Sequence, residues 1–144
     1  MAPFLIERPS RLSVDAAWQR LTHWEDHAAH VPLTRIVVLT PHPPGVGTRF
    51  VARTGVGRVA FDDSMDVVRW QPPSATAPGH CRLEKRGSVV TGWAELDVRA
   101  HGAGSWVVWR EDLRVRGLPR LFDPLITWSG RLVFGRVVRR LLED

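Results

Sequence analysis

Glu111 is the residue of this chain whose setting most suggests chemistry. It shares the alternating register of Val107, Trp109, Leu113 and Val115, so a strand here carries it on the same face as four apolar side chains. A carboxylate in an apolar cavity has a raised pKa, suited to acid–base work or to holding a polar group of a ligand. The competing reading is an ion pair with an arginine, or a place near the sheet edge. Asp62, Asp63 and Asp66 form a second cluster, able to supply a general base or oxygen ligands for a cation. Acids clustered at a strand bend are otherwise solvated turn residues. Asp63 is the exception to watch, because it follows Val59 and Phe61 towards the interior side.

His23, His27 and His30 fall at i, i+4 and i+7, a spacing that gathers imidazoles on one helical face. Trp24 follows His23, where the H-E-x-x-H motif needs its glutamate base, and a helix break near His23 or Trp24 would separate the faces. No metal site and no cofactor are expected. Cys81 is the only cysteine, which removes internal disulfides, CxxC redox pairs and thiolate zinc clusters. It alternates with Leu83, so a small buried hydrophobe is expected, with His80 on the opposite face and no base beside the sulfur.

These residues sit in a chain of 144 residues, 44% hydrophobic and 24% charged, a composition that fits one globular domain over residues 1–144. The net charge of +5 arises from 19 arginines and a single lysine, Lys85, against 15 acids. The arginines are spread over polar strand positions rather than gathered on one recognition element, so no nucleic-acid partner is expected and the bias reads as a GC-rich genome. No stretch approaches the ~18 uncharged apolar residues of a membrane span, since even the C-terminal segment carries Arg131, Arg136, Arg139 and Arg140. Glu7 and Arg8 stand where a signal peptide would have its apolar centre, and a cytoplasmic location is expected.

The elements that must position the candidates follow from periodicity and punctuation. Phe4 to Arg8 reads as a strand ended by Pro9, and Ser13 as the N-cap of a helix whose apolar face is Val14, Ala17, Trp18 and Leu21. A second short helix, Glu25 to His30, stops before Pro32. Strands are expected at Leu33 to Leu39, Thr48 to Thr54, Arg58 to Phe61, His80 to Arg86, Gly92 to Ala100 and Ser105 to Arg116, with Met65 to Trp70 continuing or following the Arg58 to Phe61 strand across a bulge or bend at Asp62 to Ser64. From Leu118 to Asp144 apolar residues cover far more than one helical face, which predicts a closing helix covered on most sides by the sheet.

The segments Ser13 to Thr22, His27 to Pro32, Gly47 to Phe50, Met65 to Pro73 and Val107 to Glu111 resemble those of the helix-grip, or Bet v 1-like, superfamily. It includes START domains, the polyketide cyclase/dehydrase group and many bacterial SRPBCC proteins. The resemblance implies an α+β fold, a seven-stranded antiparallel sheet curved around the C-terminal helix, and a mainly apolar cavity of roughly 300 Å³ or more. Within that frame the expected lining is Phe50, Phe61, Met65, Leu83, Leu96, Trp109, Leu113, Leu125, Trp128 and Leu132, with Glu111 and Asp63 as the catalytic candidates. The expected function is binding of a hydrophobic or aromatic small molecule, lipid-like or polyketide-like, by a monomer or homodimer. Two alternatives stand beside it: a polyketide cyclase-type enzyme, and an interaction module with a collapsed cavity marked by Trp93 and Trp106 on the polar register.

Overall fold

The structure is a computed structural model. It describes residues 3–143 apart from 28, 30, 32–33, 42–43, 57–58 and 118–119, and of 56, 59, 61, 120, 123 and 126 it describes the backbone only. Seven strands, β1 (Phe4–Ser10), β2 (Thr34–Val38), β3 (Arg49–Val56), β4 (Val59–Gln71), β5 (Gly79–Arg86), β6 (Val90–His101) and β7 (Gly104–Val115), form one antiparallel sheet in the order β1-β7-β6-β5-β4-β3-β2. Consecutive strands pair as hairpins from β2 to β7, and β1 then pairs along β7, with Ile6 opposite Trp109. Helices α1 (Val14–Thr22) and α2 (Trp24–His27) fill the crossing from β1 to β2, and α3 (Asp123–Leu142) follows β7.

Alternation decides which face is covered. Along β5 the buried residues include Cys81, Leu83 and Lys85; along β6 they include Val90, Ala94, Leu96 and Val98; along β7 they include Val107, Trp109 and Glu111. These point to the concave side, where α1 contributes Ala17, Trp18 and Leu21 and α3 contributes Val137, Val138 and Leu141 to one shared core. Ser13 caps α1 by accepting the Ala16 N–H at 3.1 Å, which satisfies one of the donors left open at a helix start. Helix α3 crosses β1 so closely that a Cβ on Gly130 would lie 2.7 Å from Phe4 Cε1, so any larger residue would have to push the buried Phe4 ring aside.

Three expectations are corrected. Strand β1 runs through Pro9 to Ser10, paired with Trp106 and Ser105; as the edge strand it has no second neighbour that needs the missing N–H. Strand β4 is continuous, one of the two expected readings, but its irregularity lies between Val67 and Arg69 rather than at Asp62–Ser64. Helix α3 is not covered on most sides: Leu125, Trp128 and Leu132 are 56%, 61% and 56% exposed, because the sheet and α1 reach only the opposite face of the helix.

Candidate functional site

Between the concave sheet, α2 and α3 lies a cavity of about 260 Å³, somewhat smaller than expected. Most of its wall is apolar and aromatic. Trp24 stacks on Phe50 with ring centroids 4.9 Å apart, Trp109 stacks on Phe134 at 6.0 Å, and His27 lies 5.8 Å from Trp109. His27 is buried, and its Nε2–H donates to the Leu21 carbonyl at 2.8 Å.

One end of this cavity is charged. Lys85, on β5, places Nζ 2.6 Å from Asp63 Oδ2 on β4 and 3.6 Å from Glu111 Oε2 on β7. The side chains of Lys85 and Glu111 are each 1% exposed and that of Asp63 is 15% exposed. Lys85 and Glu111 stand two strands apart, a gap of ~10 Å in a sheet. Between them β6 presents Gly92 opposite Lys85 and Ala94 opposite Glu111, so no side chain larger than a methyl group stands in the way. Gly92 has φ 125°, and a Cβ there would meet the Asp112 carbonyl oxygen at 1.8 Å; no other residue fits.

Electrostatics inside this cluster run in one direction. Burial alone would lower the Lys85 pKa, but the charges of Glu111 and Asp63, with their hydrogen bonds, outweigh it and hold the ammonium above its ordinary value. Burial pushes the Glu111 carboxyl up; the Lys85 charge opposes this, the negative charge of Asp63 adds to it, and the Trp109 N–H partly offsets it. Trp109 Nε1 donates to Glu111 Oε1 at 3.1 Å, which fixes the carboxyl against the aromatic wall. Among the described residues, Glu111 Oε2 and Asp63 Oδ1 have no hydrogen-bond partner. Buried oxygens left this way are costly. The arrangement can hold a donor group of a ligand, and it brings a fixed cation together with a carboxyl inclined to keep its proton.

Of the expected lining, Phe50, Met65, Leu83, Trp109 and Leu113 lie on the cavity wall together with Asp63 and Glu111. Leu96 is buried in the core but away from the cavity. The Phe61 side chain lies outside the described residues. Leu125, Trp128 and Leu132 face outward, and α3 instead offers Val133 and Phe134 to the cavity. Lys85 was not among the candidates, although it follows Cys81 and Leu83 on the inward register and is the only lysine among 19 arginines. Asp62 and Asp66 separate from Asp63, pairing with Arg53 and Arg49 at 3.5 Å each.

The other candidates part in the same way. Helix α1 ends at Thr22 with His23 as its C-cap, His23 pairs with Asp26 at 3.0 Å, and His30 lies outside the described residues. Among the described residues no three metal-ligating side chains come together. Cys81 is buried and its thiol pushed up to about 12 by desolvation, unsuited to act as a nucleophile. Trp93 receives Arg82 over its ring at 4.9 Å, and Trp106 packs on His101. A larger groove of about 450 Å³, lined by Trp18, Trp24 and Trp70, opens outside between α1 and the β2–β3 and β4–β5 loops. Among the described residues it shows no ion pair with both partners buried, so the inner cavity is the better candidate.

No protein-family model and no curated protein sequence matches the chain. Solved structures do match it over nearly its whole length. Ara h 8.0201 is 13% identical with a TM-score of 0.66, covering 99% of this chain and 98% of its own. The di-domain ARO/CYC StfQ from the steffimycin biosynthetic pathway is 11% identical with a TM-score of 0.69, covering 98% of this chain and 50% of its own. A norcoclaurine synthase from Thalictrum is 16% identical with a TM-score of 0.61, covering 97% of this chain and 93% of its own. A seven-stranded sheet gripping a long C-terminal helix, shared at this similarity and coverage, gives the chain the helix-grip, or Bet v 1-like, fold.

Proposed function

We propose that the protein binds a small hydrophobic or aromatic molecule in the internal cavity, with a hydroxyl or N–H donor of that molecule set against Asp63, Glu111 and Lys85. One observation carries the reading: at the end of an otherwise apolar cavity, Asp63 Oδ1 and Glu111 Oε2 have no hydrogen-bond partner among the described residues, Glu111 Oε2 being met only by the Lys85 ammonium at 3.6 Å. A ligand that only filled space would leave both oxygens unsatisfied, whereas a donor group on an apolar body satisfies them and the wall together. The volume of about 260 Å³ lies just below the ~300–1,000 Å³ of pockets for drug-sized ligands. It favours a body of one or two rings over a sterol or long acyl chain.

A second reading, acid–base catalysis of the cyclase type, is favoured by the Lys85–Glu111 pair. A carbonyl of a poly-β-ketone placed at the charged end would have its developing enolate oxygen stabilised by the Lys85 ammonium. In that reading Glu111, whose pKa burial raises, would be the acid, and the open oxygen of Asp63 the base. The names of StfQ and norcoclaurine synthase make this class worth testing.

Native mass spectrometry of the freshly purified chain tests the binding reading. A mass increment that disappears on denaturation, and that is weaker in Asp63→Asn and Glu111→Gln, supports it. A ligand-free spectrum, with no uptake of one- and two-ring phenols or aryl amines at millimolar concentration, overturns it.

A further inference from the structure

Leu121, Leu125, Trp128 and Leu132 repeat at i, i+4, i+7 and i+11, so they form one stripe along α3 and the turn that leads into it. Their exposure runs from 56% to 83%, and Phe122 and Val133 widen the stripe on one flank. A contiguous exposed apolar patch of this kind marks an interaction surface. It is also joined to the cavity, because Val133 belongs to both the patch and the cavity wall.

Charge identifies the occupant. The same stripe continues from Leu132 into Arg136 and Arg139, with Arg131 and Arg140 on either side, all exposed. From Leu121 to Leu142 the only acid in the sequence is Asp123, and among the described residues Arg139 pairs with Glu143 at 3.9 Å. A second copy of this face would bring another set of arginines and almost no carboxylate to meet them. An anionic lipid surface meets both halves: leucine and tryptophan side chains enter the boundary of the acyl chains, and the arginines extend to the headgroups. Among the described residues no helix is long and apolar enough to cross a membrane, which suits a helix that lies on the surface.

We infer that the outer face of α3 docks the protein on anionic membranes, with the apolar stripe at the headgroup boundary and the cavity wall at Val133 turned towards the lipid. The docking does not depend on which ligand the cavity takes.

Cosedimentation of the intact chain with vesicles of phosphatidylcholine alone, and of phosphatidylcholine with phosphatidylglycerol in equal parts, tests it. Binding is expected to the mixed vesicles and to fall steeply between 50 mM and 500 mM salt. The double variant Trp128→Glu, Leu132→Glu should lose roughly tenfold or more in affinity, and each of Arg136→Gln and Arg140→Gln about fivefold. These side chains are exposed, and circular dichroism should show all variants folded. Equal sedimentation with and without phosphatidylglycerol, or no loss in the variants, overturns the inference. So does a homodimer by light scattering that the Trp128→Glu, Leu132→Glu variant converts to monomer, for then a second copy covers the face.

Discussion

Two charged clusters sit back to back on the same strands. On the convex face Arg82 meets Glu84 and Glu95 at 3.1 and 2.8 Å, and Asp97 meets His80 and Arg110 at 2.6 and 3.0 Å. On the concave face Lys85 meets Asp63 and Glu111. Glu84 and Lys85 are sequence neighbours, as are Arg110 and Glu111, yet one of each pair faces water and the other faces the cavity. The convex pairs are screened by solvent and are worth little each. The concave group has lost its water, so its attraction must offset a desolvation cost of several kcal/mol per ion. Packing alone would be served as well by leucine and methionine. Charge kept in such a place points to a ligand, whereas charge on the convex face needs no further account.

The largest expected effect breaks the concave cluster by removing one member. Lys85→Met leaves Asp63 and Glu111 facing each other without their cation, and urea denaturation should show a loss of about 3 to 5 kcal/mol. Trp109→Ala should cost about 3 to 5 kcal/mol, since it opens a void beside Phe134 and removes the donor to Glu111 Oε1. Replacing all three charges together, Lys85→Met, Asp63→Leu and Glu111→Leu, should recover much of the Lys85→Met loss or even exceed the parent stability. Persistent loss in the triple variant would mean that the cluster supports the fold itself. On the convex face, by contrast, Arg110→Ala should cost ~1 kcal/mol or less. Equal costs on the two faces would erase the comparison.

A subtler difference appears with pH. The folded-state pKa of Glu111 is raised above its ordinary 4.5, so above that pH the native chain binds more protons than the unfolded chain. The stabilisation is complete below 4.5 and falls as pH rises through the folded value. The Lys85 pKa is raised above 10.5, so its contribution is lost only above that pH. Denaturation midpoints from pH 4 to 9 should therefore decline more steeply in the parent chain than in Glu111→Gln. Parallel curves would show that Glu111 has no shifted titration.

Much of this was legible in the sequence, and the rest was hidden for physical reasons. Strict alternation along Val107 to Val115 is enough to place Trp109 and Glu111 inward, and the spacing of Val59, Phe61 and Asp63 does the same for Asp63. Lys85 is harder to single out because a lone lysine counts first towards net charge, although Cys81, Leu83 and Lys85 alternate as plainly as the others. Helix α3 was harder to read. Its apolar residues occupy nearly every angle, and periodicity alone cannot say which arc meets the sheet. Arg136 and Arg139, at i+4 and i+7 from Leu132, were the signal that the arc of Leu125 and Trp128 faces outward. Pro9 misled because its cost depends on whether the strand is an edge, and only the pairing of β1 with β7 decides that.

The claim that matters most is that the charged end of the cavity recognises a donor group on an apolar ligand. Isothermal titration of the parent chain with 2-naphthol and with naphthalene, two probes that differ by one hydroxyl, tests it directly. The hydroxylated probe should bind roughly tenfold tighter, as a hydrogen bond to a buried, unpartnered carboxylate oxygen supplies ~1.5–3 kcal/mol, and Asp63→Asn with Glu111→Gln should remove most of that advantage. Equal affinity for the two probes, or a preference that survives both substitutions, would contradict the account.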